Sequence, residues 1–200
     1  MHQIKCLGGV YYIDHDLDMK NIDESSSIGP ETKIWNGAKI YSGAKIGSHC
    51  VIGAGVHIEN DVSVGDYCKV QRGVTLYRGV DADDYVFFGP NATTTNDRNP
   101  RAFGEWKLSK SKFEIGSSIG ANATIVAGTK IGALALVGAG SVVVRDIEPC
   151  SLYVGNPAKR IGWVDVAGNV ISHDDIMPEG LMQVISDPRG AIEKYLESNK

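Results

Sequence analysis

Apolar residues recur at every sixth position through the first half of this chain. This six-residue series consists of Ile22, Ile28, Ile34, Ile40, Ile46, Ile52, Ile58, Val64, Val70, Leu76, Ala82 and Phe88. A small or β-branched residue stands two positions before each member from Ser26 onward. Six is not a helical period, and residues two apart in a strand point to the same side. The pattern therefore predicts short strands and turns, three of each per 18-residue coil, in an all-β parallel β-helix.

The series breaks after Phe88 and resumes out of step at Phe113. Its second part is Phe113, Ile119, Ile125, Ile131, Val137 and Val143. Phe88 and Phe113 are 25 residues apart, one more than four steps of six. Part of the intervening segment therefore lies outside the coil, and we predict an inserted loop at residues 89–112. Long ordered loops are more often functional than structural, so we expect the chemistry there.

The same pattern predicts how the chain is divided. We expect an N-terminal cap at residues 1–21, a β-helix domain at 22–162 and a C-terminal hairpin with a short helix at 163–200. In the cap, residues 10–13 predict a strand that covers the open end of the coil. Pro157 indicates where the coil stops, because proline cannot donate to a ladder.

The sequence predicts a hairpin and a short helix in the C-terminal segment. Residues 163–173 predict a hairpin with a turn at Gly168-Asn169. Asp187 before Pro188 predicts the start of a short helix that ends near Leu196.

Charge and composition exclude several classes of protein. The formal net charge is −4 with both signs mixed along the chain, which argues against a nucleic-acid-binding surface. No apolar run approaches the roughly 20 residues that span a bilayer, and the amino terminus lacks a signal pattern. We therefore expect a soluble, cytoplasmic protein with no membrane partner. Cys50 and Cys68 lie one coil apart at small-residue positions, which favours buried thiols over a disulfide.

Several motifs resemble one known family. They are GPNATTTNDRNPR at 89–101, SIGANATIVAGTKIG at 118–132, VGAGSVV at 137–143 and GNPAKRIG at 155–162. Together with the six-residue series they resemble the left-handed β-helix N-acetyltransferases that act on nucleotide-linked amino sugars. The resemblance covers roughly residues 22–163. That family usually has aromatic residues flanking the TND motif where this chain has Thr94 and Asn99.

The resemblance implies both an architecture and an activity. It implies left-handed coils, a homotrimer, and transfer of acetyl from acetyl-CoA to the amino group of a UDP- or dTDP-linked deoxyamino sugar, without a metal. Such a product would serve surface polysaccharide biosynthesis.

The resemblance also implies a groove for coenzyme A between neighbouring coils. The predicted cofactor-binding residues are Gly120, Ala121, Gly138, Ala139, Lys159 and Arg160. The two Gly-Ala turns are 18 residues apart, so their backbone groups should stack into a row that pairs with the pantetheine amides. The basic pair would meet the phosphates of the nucleotide end. A solvated basic pair is the alternative.

Asn91 is the predicted catalytic residue, because an amide can orient the acceptor amine without a shifted pKa. Aminolysis of a thioester needs mainly a neutral and aligned amine, and the proton can leave on the departing CoA thiolate. His57 and His49 are the alternative bases. Residue spacing places His57 two coils below Thr93, and His49 two coils below Tyr85.

The predicted substrate-binding residues are Gln71, Tyr77, Asn96, Asp97, Arg98 and Arg101. The arginines would bind a diphosphate or a carboxylate, while Asp97 would either bind substrate or pair with one of them. Gln71 and Tyr77 lie one coil below residues 89 and 95 and would form the floor of the site.

Three alternatives to this function stay open. The first is O-acetylation of a sugar hydroxyl, which requires a true base. The second is a non-catalytic sugar-binding β-helix. The third is a zinc enzyme similar to the γ-carbonic anhydrases, for which the series offers His49 and His57 where three histidines are needed.

Overall fold

Three β-sheets form the sides of a triangular coil in the computed structural model, which describes residues 2–6, 9–13 and 18–199. Sheet 1 contains His2–Cys6, Gly9–Ile13, Lys33–Ile34, Val51–Ile52, Lys69–Val70, Phe87–Phe88, Ser118–Ile119, Leu136–Val137, Ser151–Val154, Lys159–Val164 and Val170–Ser172. Sheet 2 contains Lys39–Ile40, His57–Ile58, Thr75–Leu76, Thr93–Thr94, Thr124–Ile125 and Val142–Val143. Sheet 3 contains Ser27–Ile28, Lys45–Ile46, Ser63–Val64, Val80–Ala82, Ser111–Phe113 and Lys130–Ile131. The strands of all three sheets are parallel within the coils, and sheet 1 adds antiparallel pairs at its two ends.

The turns between these sheets form three corners, which we call corners 1–2, 2–3 and 3–1 after the sheets they join. In sheet 1, Lys69 pairs with Val51 below it and with Phe87 above it, at the predicted spacing of one coil. The apolar member of each strand points inward and the residue before it points outward. Ile52, for example, is fully buried, whereas Val51 is only half-buried. The parallel β-helix and its 18-residue coil are therefore confirmed.

The apolar series and its small partners form one continuous core. All members from Ile28 to Val143 are buried, and Ile22 at the open end packs against them. Phe88 and Phe113, which flank the break in the series, meet edge to face at 5.0 Å between ring centroids. Burying each large aliphatic side chain contributes about 1.5–3 kcal/mol, which explains how repeats of two-residue strands hold together.

Cys50 and Cys68 are buried free thiols, as the sequence indicated. Each sulfur donates to a backbone carbonyl, Cys50 Sγ to Gly65 O and Cys68 Sγ to Asp83 O, both at 3.1 Å. The neighbouring Cys50 sulfur and burial raise the pKa of the Cys68 thiol well above its ordinary value. Cys68 therefore stays protonated, and both thiols serve packing.

The inserted loop is shorter than predicted, because the coil continues beyond Phe88. Thr93–Thr94 is a regular strand of sheet 2, and Ala92 and Thr94 are buried in the core. The loop therefore covers residues 96–110 at corner 2–3, and the predicted boundaries of 89–112 are wrong. Thr93 pairs with Thr124, 31 residues later, so 13 residues are inserted into one coil. This strand is not visible in the apolar series, because a threonine fills its inward position.

Both ends of the coil are covered. Gly9–Ile13 pairs with Lys33–Ile34 and confirms the predicted N-terminal strand, whereas residues 1, 7–8 and 14–17 of the cap lie outside the described residues. A 3₁₀ helix at Met19–Asn21 leads into the first coil. At the other end the coil continues to Ser151–Val154, further than Val143, and Pro157 lies in the turn that follows.

The C-terminal segment packs on the coil. Its hairpin uses Lys159–Val164 and Val170–Ser172, with Asn169 N–H donating to Asp165 Oδ1, and it begins four residues before the predicted start. Helix α1 spans Leu181–Ser186 and was not predicted. Helix α2 spans Pro188–Ser198 and begins at the predicted cap, where Asp187 accepts from Gly190 N–H. In the part of the chain that the structure describes, neither helix has the length and apolar character needed to cross a membrane.

Candidate active site

The two Gly-Ala turns stack directly above one another at corner 1–2. A Cβ added to Gly120 would lie 2.6 Å from the carbonyl carbon of Gly138, so only glycine permits this approach. The N–H groups of both glycines form hydrogen bonds to the next coil: Gly120 N–H donates to Val137 O, and Gly138 N–H donates to Tyr153 O. Within the described residues, the N–H groups of Ala121 and Ala139 donate to no backbone or side-chain acceptor. Two donors one coil apart are therefore available to the amide carbonyls of a bound chain.

Arg160 is engaged by the C-terminal segment instead of facing this corner freely. Its guanidinium contacts Glu148 at 3.4 Å and Asp175 at 3.2 Å, and it lies 4.6 Å from the centre of the Trp163 ring. Lys159 is exposed. Of the predicted pair Lys159 and Arg160, Lys159 is therefore the one whose side chain is available to bind a phosphate.

Asn91 lies on the same corner, one coil below Gly120-Ala121. Its φ is +57°, the left-handed conformation that asparagine tolerates better than most residues. Its N–H donates to Arg72 O at 2.9 Å, and its amide oxygen lies over Gly73. The exposed side chain is held at the level where a substrate below the Gly-Ala row would begin. Asn91 thus has a clear conformational role beside any catalytic one.

The two candidate histidines lie on different sides of the coil. His57 faces outward from sheet 2, in register with Thr75 and then Thr93, as its spacing predicted. His49 lies at corner 3–1 and stacks on Tyr67 at 4.8 Å between ring centroids; Tyr67 in turn stacks on Tyr85 at 5.0 Å. Aromatic stacking thus accounts for the presence of a histidine at position 49 without a catalytic role. His57 is therefore the stronger candidate base. A zinc site that includes both rings is not compatible with this placement.

The inserted loop is closed at its base and tied to the coil above it. Ser109 N–H donates to Asn96 O at 2.9 Å, and Leu108 lies over Gly79. Arg98 Nη2 donates to Val144 O at 3.0 Å, two coils further up the stack. Arg98 therefore fixes the loop, and its guanidinium is only partly available to a substrate.

The predicted alternative for Asp97 is not observed. Asp97 Oδ1 accepts from Asn99 N–H at 2.9 Å, which is a local turn, and it pairs with neither arginine. Arg101 Nη1 donates to the carbonyl of its neighbour Pro100 at 2.8 Å and is exposed. Arg101 is the loop guanidinium with the greatest freedom to meet an anionic group.

Sheet 2 separates the predicted site residues into two groups. Gln71, Asn91 and the Gly-Ala row lie at corner 1–2, whereas Tyr77 and the inserted loop lie at corner 2–3. Tyr77 lies at the base of the loop, where its N–H donates to Thr94 Oγ1 at 2.8 Å. The predicted site residues of one chain therefore face two different directions.

Two residues at corner 1–2 were missed from the sequence. Trp35 and Arg72 line a cavity of about 420 Å³ together with Gln71 and Pro90. A signal was available for Trp35, because the equivalent turn position holds glycine in most other coils.

Family profiles match most of the coils. The bacterial transferase hexapeptide (six repeats) matches residues 25–60 and 43–78, and the hexapeptide repeat of succinyl-transferase matches residues 115–145. These coils are therefore similar to the hexapeptide repeats of bacterial transferases. Such repeats form left-handed parallel β-helices, and the predicted fold class is confirmed.

Curated proteins that are similar to this chain include several acetyltransferases. The dTDP-3-amino-3,6-dideoxy-alpha-D-galactopyranose 3-N-acetyltransferase of Aneurinibacillus thermoaerophilus is 52% identical over 65 residues, which cover 32% of this chain and 31% of that protein. Serine acetyltransferase 4 of Arabidopsis thaliana is 41% identical over 80 residues, which cover 40% of this chain and 19% of that protein. The chain thus matches less than a third of the length of either relative. The resemblance to N-acetyltransferases of nucleotide-linked amino sugars is borne out by the first.

A solved structure supports the fold. The hexapeptide-repeat containing-acetyltransferase VCA0836 of Vibrio cholerae, crystallised in complex with acetyl coenzyme A, superposes with a TM-score of 0.53 at 23% identity. The match covers 64% of this chain and 72% of that one.

Proposed function

We propose that this protein transfers the acetyl group of acetyl-CoA to the amino group of a nucleotide-linked deoxyamino sugar. The observation that carries the proposal is the 52% identity over 65 residues to an N-acetyltransferase of a dTDP-linked amino sugar. The available N–H groups of Ala121 and Ala139 suit a pantetheine chain, and an inserted polar loop suits a sugar nucleotide.

The reaction requires little of the protein beyond alignment. The sugar amine attacks the thioester carbonyl, the C–N bond forms, the C–S bond breaks, and the ammonium proton passes to the departing CoA thiolate. The amide oxygen of Asn91 would accept a hydrogen bond from the sugar amine. This hydrogen bond would orient the lone pair of the amine nitrogen toward the thioester carbonyl carbon. Holding two reactants in such a geometry lowers the barrier by about 7–11 kcal/mol. No protein base is needed if the thiolate takes the proton.

The proposed assembly is a cytoplasmic homotrimer with shared sites. Corner 1–2 of one subunit would bind CoA and the amine, and the loop of a neighbour would bring Asn96, Asp97 and Arg101 to the sugar nucleotide. The separation of these groups by sheet 2 within one chain supports a site built from two subunits. The buried free thiols Cys50 and Cys68 suit a reducing compartment.

O-acetylation of a hydroxyl is the second candidate, because the chain also matches serine acetyltransferases. A hydroxyl must lose its proton to become a good nucleophile, so this reaction needs a base such as His57. The ring of His57 faces outward on sheet 2, 6.2 Å from the Tyr41 ring centre. A His57→Ala variant that loses activity at every pH would favour O-acetylation.

The test is a CoA-release assay over UDP-, dTDP- and GDP-linked amino sugars, with product mass measured for each. Matched controls are the same nucleotide sugars with a hydroxyl in place of the amine, together with free serine. We expect turnover only with an amino sugar and a mass gain of one acetyl group. If CoA were released only with the hydroxyl sugars or only with serine, O-acetylation would replace N-acetylation as the proposed function. If CoA were released with none of the acceptors, both functions would be contradicted.

A further inference from the structure

A cavity at corner 1–2 lies directly below the predicted acetyl-CoA row. Its volume is about 420 Å³, within the usual range for small-molecule sites, and it is lined by Trp35, Val51, Gly53, Ala54, Val70, Gln71, Arg72 and Pro90. An indole, an amide and a guanidinium thus converge on an otherwise apolar surface. Such a combination suits a ligand with one planar ring and one anionic group.

Trp35 provides the planar surface. It occupies the first turn position of its coil, where the next coil has Gly53 and the following one Gln71. Gly53 contributes no side chain between the indole and Gln71, and its Cα packs against the backbone of Gln71 and Arg72. The indole is 41% exposed, which is unusual for a tryptophan that serves packing alone.

Arg72 provides the charge. Its side chain is exposed, and among the described residues its guanidinium forms no ion pair and donates no hydrogen bond. Arg78, by contrast, forms an ion pair with Asp61 at 2.8 Å. A guanidinium with free donors beside an aromatic surface can bind a diphosphate in a bidentate manner.

The position of the cavity relates it to the proposed reaction. Gln71 lies one coil below Gly89 and two coils below Gly120, so about 10 Å separate Gln71 from the Gly-Ala row. Asn91 lies one coil below that row, beside Pro90 at the upper end of the cavity. A ligand seated in the cavity would therefore extend upward past Asn91 toward the thioester.

We infer that this cavity is the nucleotide subsite, in which Trp35 stacks on the base and Arg72 binds the diphosphate of the sugar nucleotide. The inference rests on the proposed function for its choice of ligand. Gln71 is placed to hydrogen-bond the edge of the base, as its amide offers both a donor and an acceptor.

Binding of dTDP, UDP and GDP without any sugar tests the inference independently of turnover. Titration calorimetry on the full chain should show binding of at least one nucleotide, and Trp35→Ala and Arg72→Ala should each weaken it about tenfold or more. Arg78→Ala is the matched control, since that arginine is also exposed but lies at corner 2–3 with Asp61 as its partner. It should leave the affinity unchanged.

Fluorescence separates stacking from a purely structural role of Trp35. The chain has three tryptophans, and a stacked base should quench the emission of Trp35. In Trp35→Phe the quenching should disappear while calorimetry still detects binding, because phenylalanine retains a stacking surface. Loss of binding in Trp35→Ala with an unchanged melting temperature would exclude misfolding as the cause.

Two results would overturn the inference. One is nucleotide affinity that is unchanged in both Trp35→Ala and Arg72→Ala, and the other is no nucleotide binding by the wild-type protein. Neither depends on catalysis. Conversely, nucleotide binding at this cavity without any CoA release would contradict the proposed reaction and leave the subsite intact.

Discussion

Single residues at the corners of this coil carry both conformation and chemistry. At each corner one residue adopts the left-handed conformation, and corner 1–2 uses Gly37, Gly55, Gly73, Asn91, Asn122 and Gly140 for it. Glycine therefore fits this position in neighbouring coils. Asn91 stands where a glycine would be conformationally cheaper, so its side chain invites a functional explanation.

Substitution of Asn91 by glycine and by alanine separates its two roles. Asn91→Gly keeps the backbone conformation and removes the amide, so we expect an unchanged melting temperature and a loss of kcat/KM of about tenfold or more, equivalent to ~1.4 kcal/mol of transition-state stabilisation. Asn91→Ala should lose the same activity and also about 1 kcal/mol of stability, because alanine lacks the short polar side chain whose local hydrogen bonding lets asparagine adopt this conformation. Wild-type kcat/KM in Asn91→Gly would reduce Asn91 to a turn residue.

At the scale of elements, Thr94 marks where the loop leaves the coil. Elsewhere on sheet 2 the residue after each strand donates to a backbone carbonyl of the next coil, as Glu59 does to Leu76. At Tyr77 the N–H donates instead to Thr94 Oγ1, and that hydroxyl donates to Thr75 O at 3.4 Å. A side chain thus replaces the main-chain acceptor at the point where the chain diverges.

Removal of that hydroxyl tests its contribution to the loop base. Thr94→Val keeps the buried shape but leaves the Tyr77 N–H without its acceptor, so the free energy of unfolding should fall by about 1–3 kcal/mol. Thr93→Val is the matched control, because that side chain faces outward, and it should change stability by less than about 0.5 kcal/mol. Chemical denaturation measures both. Equal effects at the two positions would contradict the assignment.

Thr94 also shows why the sequence predicted the coils better than the loop. Inward positions filled by isoleucine or valine are visible as a six-residue period, and those from Ile28 to Val143 were confirmed as buried. The same inward position filled by a hydrogen-bonded threonine carries no apolar signal, so the loop was predicted to begin seven residues too early. Hydrogen bonds between distant coils are set by the fold and cannot be counted along the chain.

The candidate site was predicted in part for a related reason. Residue spacing placed Gln71, Tyr77 and His57 at their correct levels, because coil length fixes height in the stack. It did not reveal that Arg98 reaches Val144 or that Arg160 is held by Asp175, since those contacts depend on where a loop and a tail fold back.

At the scale of the whole molecule, the proposed site is divided between two corners, and a neighbouring subunit would complete it. Corner 1–2 carries Asn91 and corner 2–3 carries the loop with Arg101, with the outer face of sheet 2 between them. A cyclic trimer would bring corner 1–2 of each subunit to the loop of its neighbour, and one symmetric interface would complete all three sites.

Subunit mixing decides between a shared site and one contained in a single chain. We expect native mass spectrometry to show a trimer, and Asn91→Gly and Arg101→Ala to be strongly impaired as separate proteins. When the two variants are co-expressed with different tags and purified as mixed trimers, about one site in three should combine an intact corner with an intact loop, because each mixed trimer contains a single junction of that kind. Activity should therefore return to about a third of the wild-type level. A site within one chain would always contain one defect, so mixed trimers with no recovered activity would contradict the shared arrangement.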